Sequence, residues 1–379
     1  MDFGGVLRRI MTTTPRPAYI WDANSNDWAP LAGTVDTGQS YNFSAVQNFN
    51  GGINSSIING GAVTGKNYLI NGGFDFWQRG TSSSSQMGYY TADRWYTGGT
   101  GGTITVSQET TDLPTDVPVQ FGIKWVTSAS SSYATLYQAL ESQVLKTLRG
   151  RQVTVSGYIK VTGGYAGSMY AVLEWNATND ALLSSITQVG TVAAGNASDA
   201  ATWKRFSGTF TVPANAAGLR VGLQPDLAQA SGVTVRLAGL KLELGTVATL
   251  FSTAGSTITE ELAACQRYYN RWTAANGGSA YAFIHPVWAY STTQAFGLYT
   301  YPVVMRTTPS LETTGTANNY RVVVGNSFII CSGVPALDQA NPYTMNIQYP
   351  VASGLTVGQA GVCGPNNNNT AYLGFSAEL

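Results

Sequence analysis

Short segments that alternate between apolar and polar side chains, each closed by Gly, Pro or Asn, run through most of this chain. Val153, Val155, Gly157, Ile159 and Val161 show the period most plainly. A period of two puts alternate side chains on opposite faces of a strand, so one face is buried and the other meets water. The pattern predicts strands over Thr103–Gln108, Phe121–Thr127, Tyr133–Leu140, Gln152–Val161, Ser168–Trp175, Trp203–Val212, Gly218–Gln224 and Val233–Glu243. Many short strands between turn residues predict an all-β chain with a β-sandwich or jelly roll over residues 67–252. A second set, Tyr281–Ile284, Gln294–Tyr301, Tyr320–Val324, Phe328–Ile330, Thr344–Tyr349 and Tyr372–Ser376, predicts a β-rich domain within residues 253–379.

Two helices interrupt this pattern. Ser142–Arg149 reads as a short helix, with Ser142 as N-cap and Gly150 just past its end. In Thr257–Trp272, Thr257 and Glu260 have the spacing of a capping box, which satisfies N–H groups left open at a helix start. Ile258, Leu262, Cys265, Tyr269 and Trp272 then recur at spacings of four and three, a stripe of two heptads. That stripe suits a helix lying on its own sandwich and a helix at an oligomer axis equally, so Ile258, Leu262, Cys265 and Tyr269 are candidate oligomer contacts.

The first 66 residues differ from the rest. Pro15–Pro30 carries two tryptophans around the polar turn Asn24-Ser25-Asn26-Asp27, the pattern of a small hairpin. The following stretch is charge-poor, yet Tyr41, Phe43, Val46, Phe49, Ile53, Ile57 and Ile58 are too apolar for a plain solvated linker. It reads as an arm ordered by partner chains, with an anchoring and oligomerising role.

Charged residues make up 11% of the chain, against roughly 25% in an average domain. The solvent-facing side must therefore be covered by uncharged polar groups, which suits a surface meeting glycans or packing into an assembly. Basic and acidic residues number 20 each, and no basic run is present beyond pairs such as Arg8-Arg9. Phosphate contacts supply most nucleic-acid affinity, so nucleic acid is not an expected partner. Three unclustered cysteines, Cys265, Cys331 and Cys363, fit neither a disulfide scaffold nor a zinc site. The opening MDFGGVLRRIM lacks the apolar core of a signal peptide, and no stretch approaches the ~20 apolar residues of a membrane helix. Synthesis in a host cytoplasm and release within a particle fit this. Sequons at Asn42, Asn54, Asn176, Asn196 and Asn368 are expected by chance in this composition.

Catalytic motifs are missing. His285 is the single histidine, next to no Ser or Cys in sequence, and reads as structural. No phosphate-binding or dinucleotide fingerprint appears; Gly98–Gly102 lacks the Lys-Ser/Thr that grips phosphate. Glycosidases need two carboxylates at a set separation. Asp93, Glu109, Glu141, Glu174 and Glu243 are available without an evident pair, so no enzyme is expected and a glycan depolymerase is the weakest reading. Aromatics are the better lead, because sugar rings stack on exposed aromatic faces. Trp95, Trp125, Trp175 and Tyr137 lie on sandwich segments; Trp288, Tyr290, Tyr299, Tyr301 and Tyr372 lie further on. The glycan-binding candidates are Trp288, Tyr372, Trp125, Trp175 and the exposed Asn366, Asn367, Asn368 and Asn369 loop, with the C-terminal end preferred as the outward tip.

NYLINGGFDFWQRGTS (67–82) with YTADRW (90–95) resembles the opening of a sandwich domain common in phage tail fibre and virion structural proteins. LKLELG (240–245) followed by EELAACQRYYNRW (260–272) resembles the passage to their C-terminal domain, and YPVVMRTTPSL (301–311) resembles a motif within it. PRPAYIWD (15–22) resembles segments near the N-terminus of some tail fibres. The sandwich is also similar to jelly-roll carbohydrate-binding modules, through WKRFSGTFTVP (203–213) and the Asn-Gly-Gly-Phe opening. The resemblance implies a virion tail fibre, joined through its arm to tail or baseplate proteins, that attaches to host surface polysaccharide without entering a membrane. The apolar, charge-poor arm and the stripe of Ile258, Leu262, Cys265 and Tyr269 suggest a homo-oligomer, most simply a homotrimer. A purely structural collar, capsid or baseplate appendage is the alternative. Such modules often hold a structural calcium, with an acidic residue on the last strand. Here that strand reads Leu237-Ala238-Gly239-Leu240-Lys241, and Asp75 is the one matching carboxylate.

Overall fold

The computed structural model describes residues 65–84, 88–89, 91–99, 104–128, 133–180, 186–196, 202–275 and 277–379, with the backbone of four short strands nearer the N-terminus. The chain divides into two compact units, Met1–Ser55 and Ser56–Leu379. In the first, β1 (Ala18–Asp22) pairs antiparallel with β2 (Asp27–Leu31), the register setting Trp21 opposite Trp28. Tyr41, Phe43, Val46, Phe49 and Ile53 of the expected arm lie outside the described residues. In the second unit, β3 (Ile57–Ile58) and β4 (Gly61–Ala62) pair ahead of the sandwich.

Eleven strands build that sandwich: β5 (Ser82–Ser83), β6 (Tyr96–Gly98), β7 (Ile104–Glu109), β8 (Gly122–Thr127), β9 (Thr135–Leu140), β10 (Gln152–Thr162), β11 (Ser168–Asn176), β12 (Thr187–Asn196), β13 (Lys204–Thr211), β14 (Gly218–Pro225) and β15 (Thr234–Leu244). One sheet runs β13-β10-β15-β8-β7-β5 and the other β12-β11-β14-β9-β6. Their inner faces share a core that includes Trp95, Trp125, Val155, Ile159, Leu173, Leu219 and Leu237. The β10–β15 pairing shifts register between Ser156 and Tyr158, where Gly239 stands at φ +58°. A bulge with glycine in the left-handed region bends the long last strand without breaking its ladder. All eight predicted sandwich strands are present within two residues of their expected ends. β12 was not predicted: its Gly, Ala and Thr residues carry little alternation, and it lies at a sheet edge.

Helix α1 spans only Ser142–Leu145, and its N-cap is Glu141 rather than Ser142; Gly150 does take φ +69°. Helix α2 (Ile258–Gln266) opens with the expected capping box, Thr257 with Glu260. The predicted stripe of two heptads is not one helix. After Gln266 the chain turns into β16 (Tyr269–Thr273), which pairs with the last strand, β25 (Tyr372–Ser376). Tyr-Tyr-Asn-Arg-Trp is rich in residues that favour a pleated surface, and tertiary pairing overrides the helical spacing. β16, β25 and β19 (Ser310–Thr313) form one small sheet. Seven strands form another, in the order β21 (Ser327–Ile330), β20 (Tyr320–Val324), β24 (Ala360–Pro365), β17 (His285–Ala289), β18 (Gln294–Thr300), β23 (Thr344–Pro350) and β22 (Ala336–Ala340). The core between these sheets includes Tyr320, Val322, Met345, Ile347, Leu373 and Phe375. Tyr281–Ile284 is not a strand; Ala282 N–H closes a turn on Ser279, and pairing begins at His285.

The segments that carry the tail-fibre resemblance meet at the junction between the sandwich and the C-terminal sheets. Gln78 donates to Asp93 and to Tyr269 O, both at 2.7 Å. Arg79 lies 3.3 Å from the Tyr269 ring centroid and pairs with Glu378 at 3.1 Å. Arg94, 1% exposed, stacks on Tyr268 at 3.4 Å and also binds Glu378. Glu261 accepts the Asn71 N–H, and Arg306 N–H donates to Arg267 O at 2.7 Å. The motif residues thus tie the sandwich to the C-terminal sheets through buried hydrogen bonds and ion pairs, several of them charge-assisted.

Candidate functional site

On β17, the pleat sends His285, Val287 and Ala289 inward and Pro286 and Trp288 outward. Trp288 is 43% exposed and stands opposite Phe296 of β18, with ring centroids 6.0 Å apart. Tyr290, 64% exposed, sets its edge on Phe296 at 5.2 Å. Ala360 of β24 lies opposite Trp288 on the other side, and Gln348 of β23 lies opposite Phe296. A small residue beside the indole leaves its surroundings low, and the neighbouring amide is uncharged. An open aromatic surface with a neutral polar flank can stack a sugar ring and bond its hydroxyls.

A second aromatic surface lies on the outer face of the five-stranded sandwich sheet. Tyr137 stands between Tyr96 of β6 and Gly222 of β14. A Cβ at residue 222 would clash with the Tyr137 ring, so glycine lets the ring lie flat on the sheet. Arg220 covers that ring at 4.1 Å and is held by Glu174 at 2.6 Å. Tyr170 of β11 and Gln224 of β14 are opposite one another, both half-buried. The sequence pointed to Tyr137 but not to Tyr96 or Tyr170. Alternation along β11 marks Tyr170 as outward-facing, a signal that was available.

The other sequence candidates separate. Trp125 is 1% exposed, in the sandwich core, and offers no ring face to a ligand. Trp175 is half-buried against the same core. Trp95 is fully buried and donates to Asn71 O at 2.9 Å. Tyr299 stacks on Phe375 at 4.3 Å, and Tyr301 is buried. Tyr372 is half-buried under the Arg271 guanidinium, 3.5 Å away. Trp288 and the asparagine loop do not form one site. Ala360 is opposite Trp288, and Asn366 follows the far end of the same strand, about 20 Å away at ~3.3 Å per residue.

In that loop Asn366 is tied to Asn319 O at 2.8 Å and to Asn318 O at 3.0 Å. Asn367 takes a left-handed φ of +49°, and Asn368 accepts from Thr370 N–H at 2.8 Å. Asn367 and Asn369 are exposed and border an open depression of about 570 Å³ with Ser279 and Ala280. Of the candidate oligomer contacts, Cys265 and Tyr269 are fully buried within their own chain, Leu262 is half-buried and Ile258 is 61% exposed. Cys265 and Tyr269 cannot face a partner subunit in this fold.

The groups weighed for catalysis are bound up elsewhere. His285 meets the Tyr349 hydroxyl at 3.0 Å and Pro286 O at 2.9 Å, and burial lowers its pKa. Burial pushes the Cys363 thiol up to about 12. Glu141 pairs with Arg267, Glu174 with Arg220, and Glu243 with Lys241. Burial raises Glu109, but bonds from the Asp112 and Thr111 N–H groups and from Arg236 outweigh it and hold the carboxyl at about 2. Burial dominates at Asp93, raising it to about 6 despite two bonds from Gln78.

The residues present do not fit a structural calcium. Burial raises the Asp75 carboxyl pKa, and the Glu261 oxygens accept the N–H groups of Asn71 and Gly255. Among the described residues no group of three His, Cys, Asp or Glu converges, whereas calcium takes six to eight oxygens. On the last strand the Lys241 ammonium itself occupies an oxygen-lined place, 2.7 Å from Thr249 Oγ1 and from Leu250 O. No helix among the described residues is long and apolar enough to cross a membrane.

No family model and no curated protein matches the chain. Solved structures similar to it include the enzymatically active domain of tailspike protein 4 from bacteriophage CBA120, at 14% identity and a TM-score of 0.33, covering 47% of this chain and 21% of that one. The CBM22-1 xylan-binding domain of Paenibacillus barcinonensis Xyn10C is similar at 16% identity and a TM-score of 0.30, over 50% of this chain and 100% of that one. TmCBM61, solved with β-1,4-galactotriose, is similar at 12% identity and a TM-score of 0.30, over 48% and 99%. The chain spans about a fifth of the tailspike domain, and at this distance these neighbours carry no conclusion about its ligand.

Proposed function

We propose that this protein is a non-catalytic bacteriophage tail fibre protein that attaches, as a homotrimer, to a glycan on the host surface. The observation that carries the reading is the exposed Trp288–Phe296–Tyr290 cluster on a charge-poor sheet face. Sequence resemblance to tail fibre proteins supplies the virion context, and the apolar, charge-poor arm ahead of the sandwich supports the trimer. The outward-pointing rings suit the recognition of sugar faces, and the engagement of His285, Cys363 and the five carboxylates within the fold supports binding without bond cleavage. The half-buried Tyr137 surface, with Tyr96 and Tyr170 on the same sheet, favours a second reading, in which the sandwich holds the glycan.

Binding of the full chain to susceptible cells and to a glycan array tests this. Trp288→Ala is expected to abolish binding while costing about 1 kcal/mol or less in stability, because the ring is largely at the surface. Retained binding in Trp288→Ala with loss in Tyr137→Ala moves the site to the sandwich. If the wild-type chain binds no cell and no glycan, the structural-appendage reading replaces this one. Release of reducing ends from a bound glycan brings back the depolymerase.

A further inference from the structure

On β20, next to the edge strand β21 of the seven-stranded sheet, lies a cation without a counterion among the described residues. Between Ala274 and Ser376 the chain carries four charged side chains, Arg306, Glu312, Arg321 and Asp338. Three of them are engaged. Arg306 donates to Ala377 O and Glu378 O, both at 2.8 Å. Glu312 accepts the Tyr269 hydroxyl at 3.1 Å. Asp338, on the opposite edge strand β22, accepts from Asn346 at 2.8 Å. Arg321 has no carboxylate partner among the described residues, and it is only 7% exposed.

Its guanidinium lies 4.6 Å from the Tyr281 ring centroid and 4.8 Å from that of Phe328. One bond runs from Nη2 to Tyr281 O at 3.4 Å, and the buried Nε has no hydrogen-bond partner among the described residues. Aromatic faces offset part of the cost of withdrawing a cation from water, and an unused guanidinium donor leaves the rest. Tyr281 and Phe328 are themselves 44% and 65% exposed. Arg321 stands opposite Gly364, at the end of β24 that leads into the asparagine loop. The short segment holding Ala280 and Tyr281 borders both features: Ala280 lines the 570 Å³ depression with Ser279, Asn367 and Asn369, and Tyr281 covers the arginine.

We infer that this corner is a binding site for an acidic sugar, whose carboxylate pairs with Arg321 while its ring and hydroxyls meet Tyr281, Phe328 and the asparagine-lined depression. The inference rests on the glycan reading above and narrows it to a charge class, at a place distinct from the Trp288 cluster. A carboxylate matches the planar fork of a guanidinium, and the neutral amides of Asn367 and Asn369 suit hydroxyls. A carboxylated ligand fits better than a neutral one because a neutral sugar leaves the charge of Arg321 uncompensated.

The test is a titration of the full chain against oligosaccharides bearing uronate or sialate, each paired with its methyl ester, which keeps the ring and removes the charge. At least one acid is expected to bind about ten-fold or more tightly than its ester, as a charge-assisted bond implies. Arg321→Gln should bring the acid down to the affinity of the ester, and Arg321→Lys should keep part of the preference. Thermal midpoints of both variants check that they fold. Equal binding of acid and ester, or unchanged acid binding in Arg321→Gln, overturns the inference and leaves the general glycan reading standing. Failure of every sugar, charged or neutral, overturns both. Altered sedimentation of Arg321→Gln with unaltered sugar binding shows that the arginine faces a second copy of the chain, and this also overturns the inference.

Discussion

Tyr137 owes its position to the missing side chain at residue 222, and Trp288 owes its exposure to the phase of β17. Two tryptophans on similar strands therefore have opposite fates. Trp125 stands opposite Val106 and Val235 inside the sandwich at 1% exposure. Removing it leaves a cavity that packed neighbours fill only in part. Trp125→Ala is expected to destabilise by roughly 3–5 kcal/mol, read from the urea midpoint. A Trp125→Ala chain as stable as wild type that has lost glycan binding would put that ring at the surface.

Among the elements, α2 makes the larger claim on tertiary structure. It has nine residues, shorter than the ~12–15 an isolated helix needs, so its cap and its packing must sustain it. The capping box satisfies the first turn, and Glu261 in that turn reaches Asn71 across the junction. Thr257→Ala is expected to cost about 1 kcal/mol and to speed amide exchange at Glu260. Exchange at Glu260 as slow as in wild type would show that packing alone holds the helix start. The two-heptad stripe misled because Tyr269 and Trp272 suit a strand as well as a helix; pairing with β25 decides for the strand.

At the scale of the whole molecule, the buried Asp93 makes the domain junction sensitive to pH. Its folded pKa of about 6 lies above the ordinary 3.8, so between those values the folded chain binds more protons than the unfolded one. Stability from this group is therefore full below about pH 4 and falls as pH rises through about 6. Glu109 has the opposite sign, since its folded pKa of about 2 makes stability fall as pH drops below the ordinary 4.5. A thermal midpoint that declines from pH 4 to 6 is expected, with Asp93→Asn flattening the slope whatever its effect on absolute stability. The Asp93 contribution across this window is on the order of 2 kcal/mol. A slope identical in wild type and Asp93→Asn would assign the dependence to other groups.

The sequence by itself determined the class of fold. A period of two and its turn residues are local properties, so eight sandwich strands and the capping box were legible before any contact was known. Residues with weak alternation, as in β12, and aromatic runs that suit two elements, as at Tyr268–Trp272, were not legible, because there local preference is nearly neutral. The candidate site was legible only in its residue types. Asn366–Asn369 and Trp288 were singled out as candidates by residue type, yet whether they meet depends on which ends of β17 and β24 pair. Trp125 and Trp288 differ in burial through strand phase relative to a distant sheet. Arg94 and Glu378 meet from positions 284 residues apart, and Arg321 is left without a carboxylate partner among the described residues. Pairings of that kind are long-range, with no signature in the residues between, and only the tertiary structure decided them.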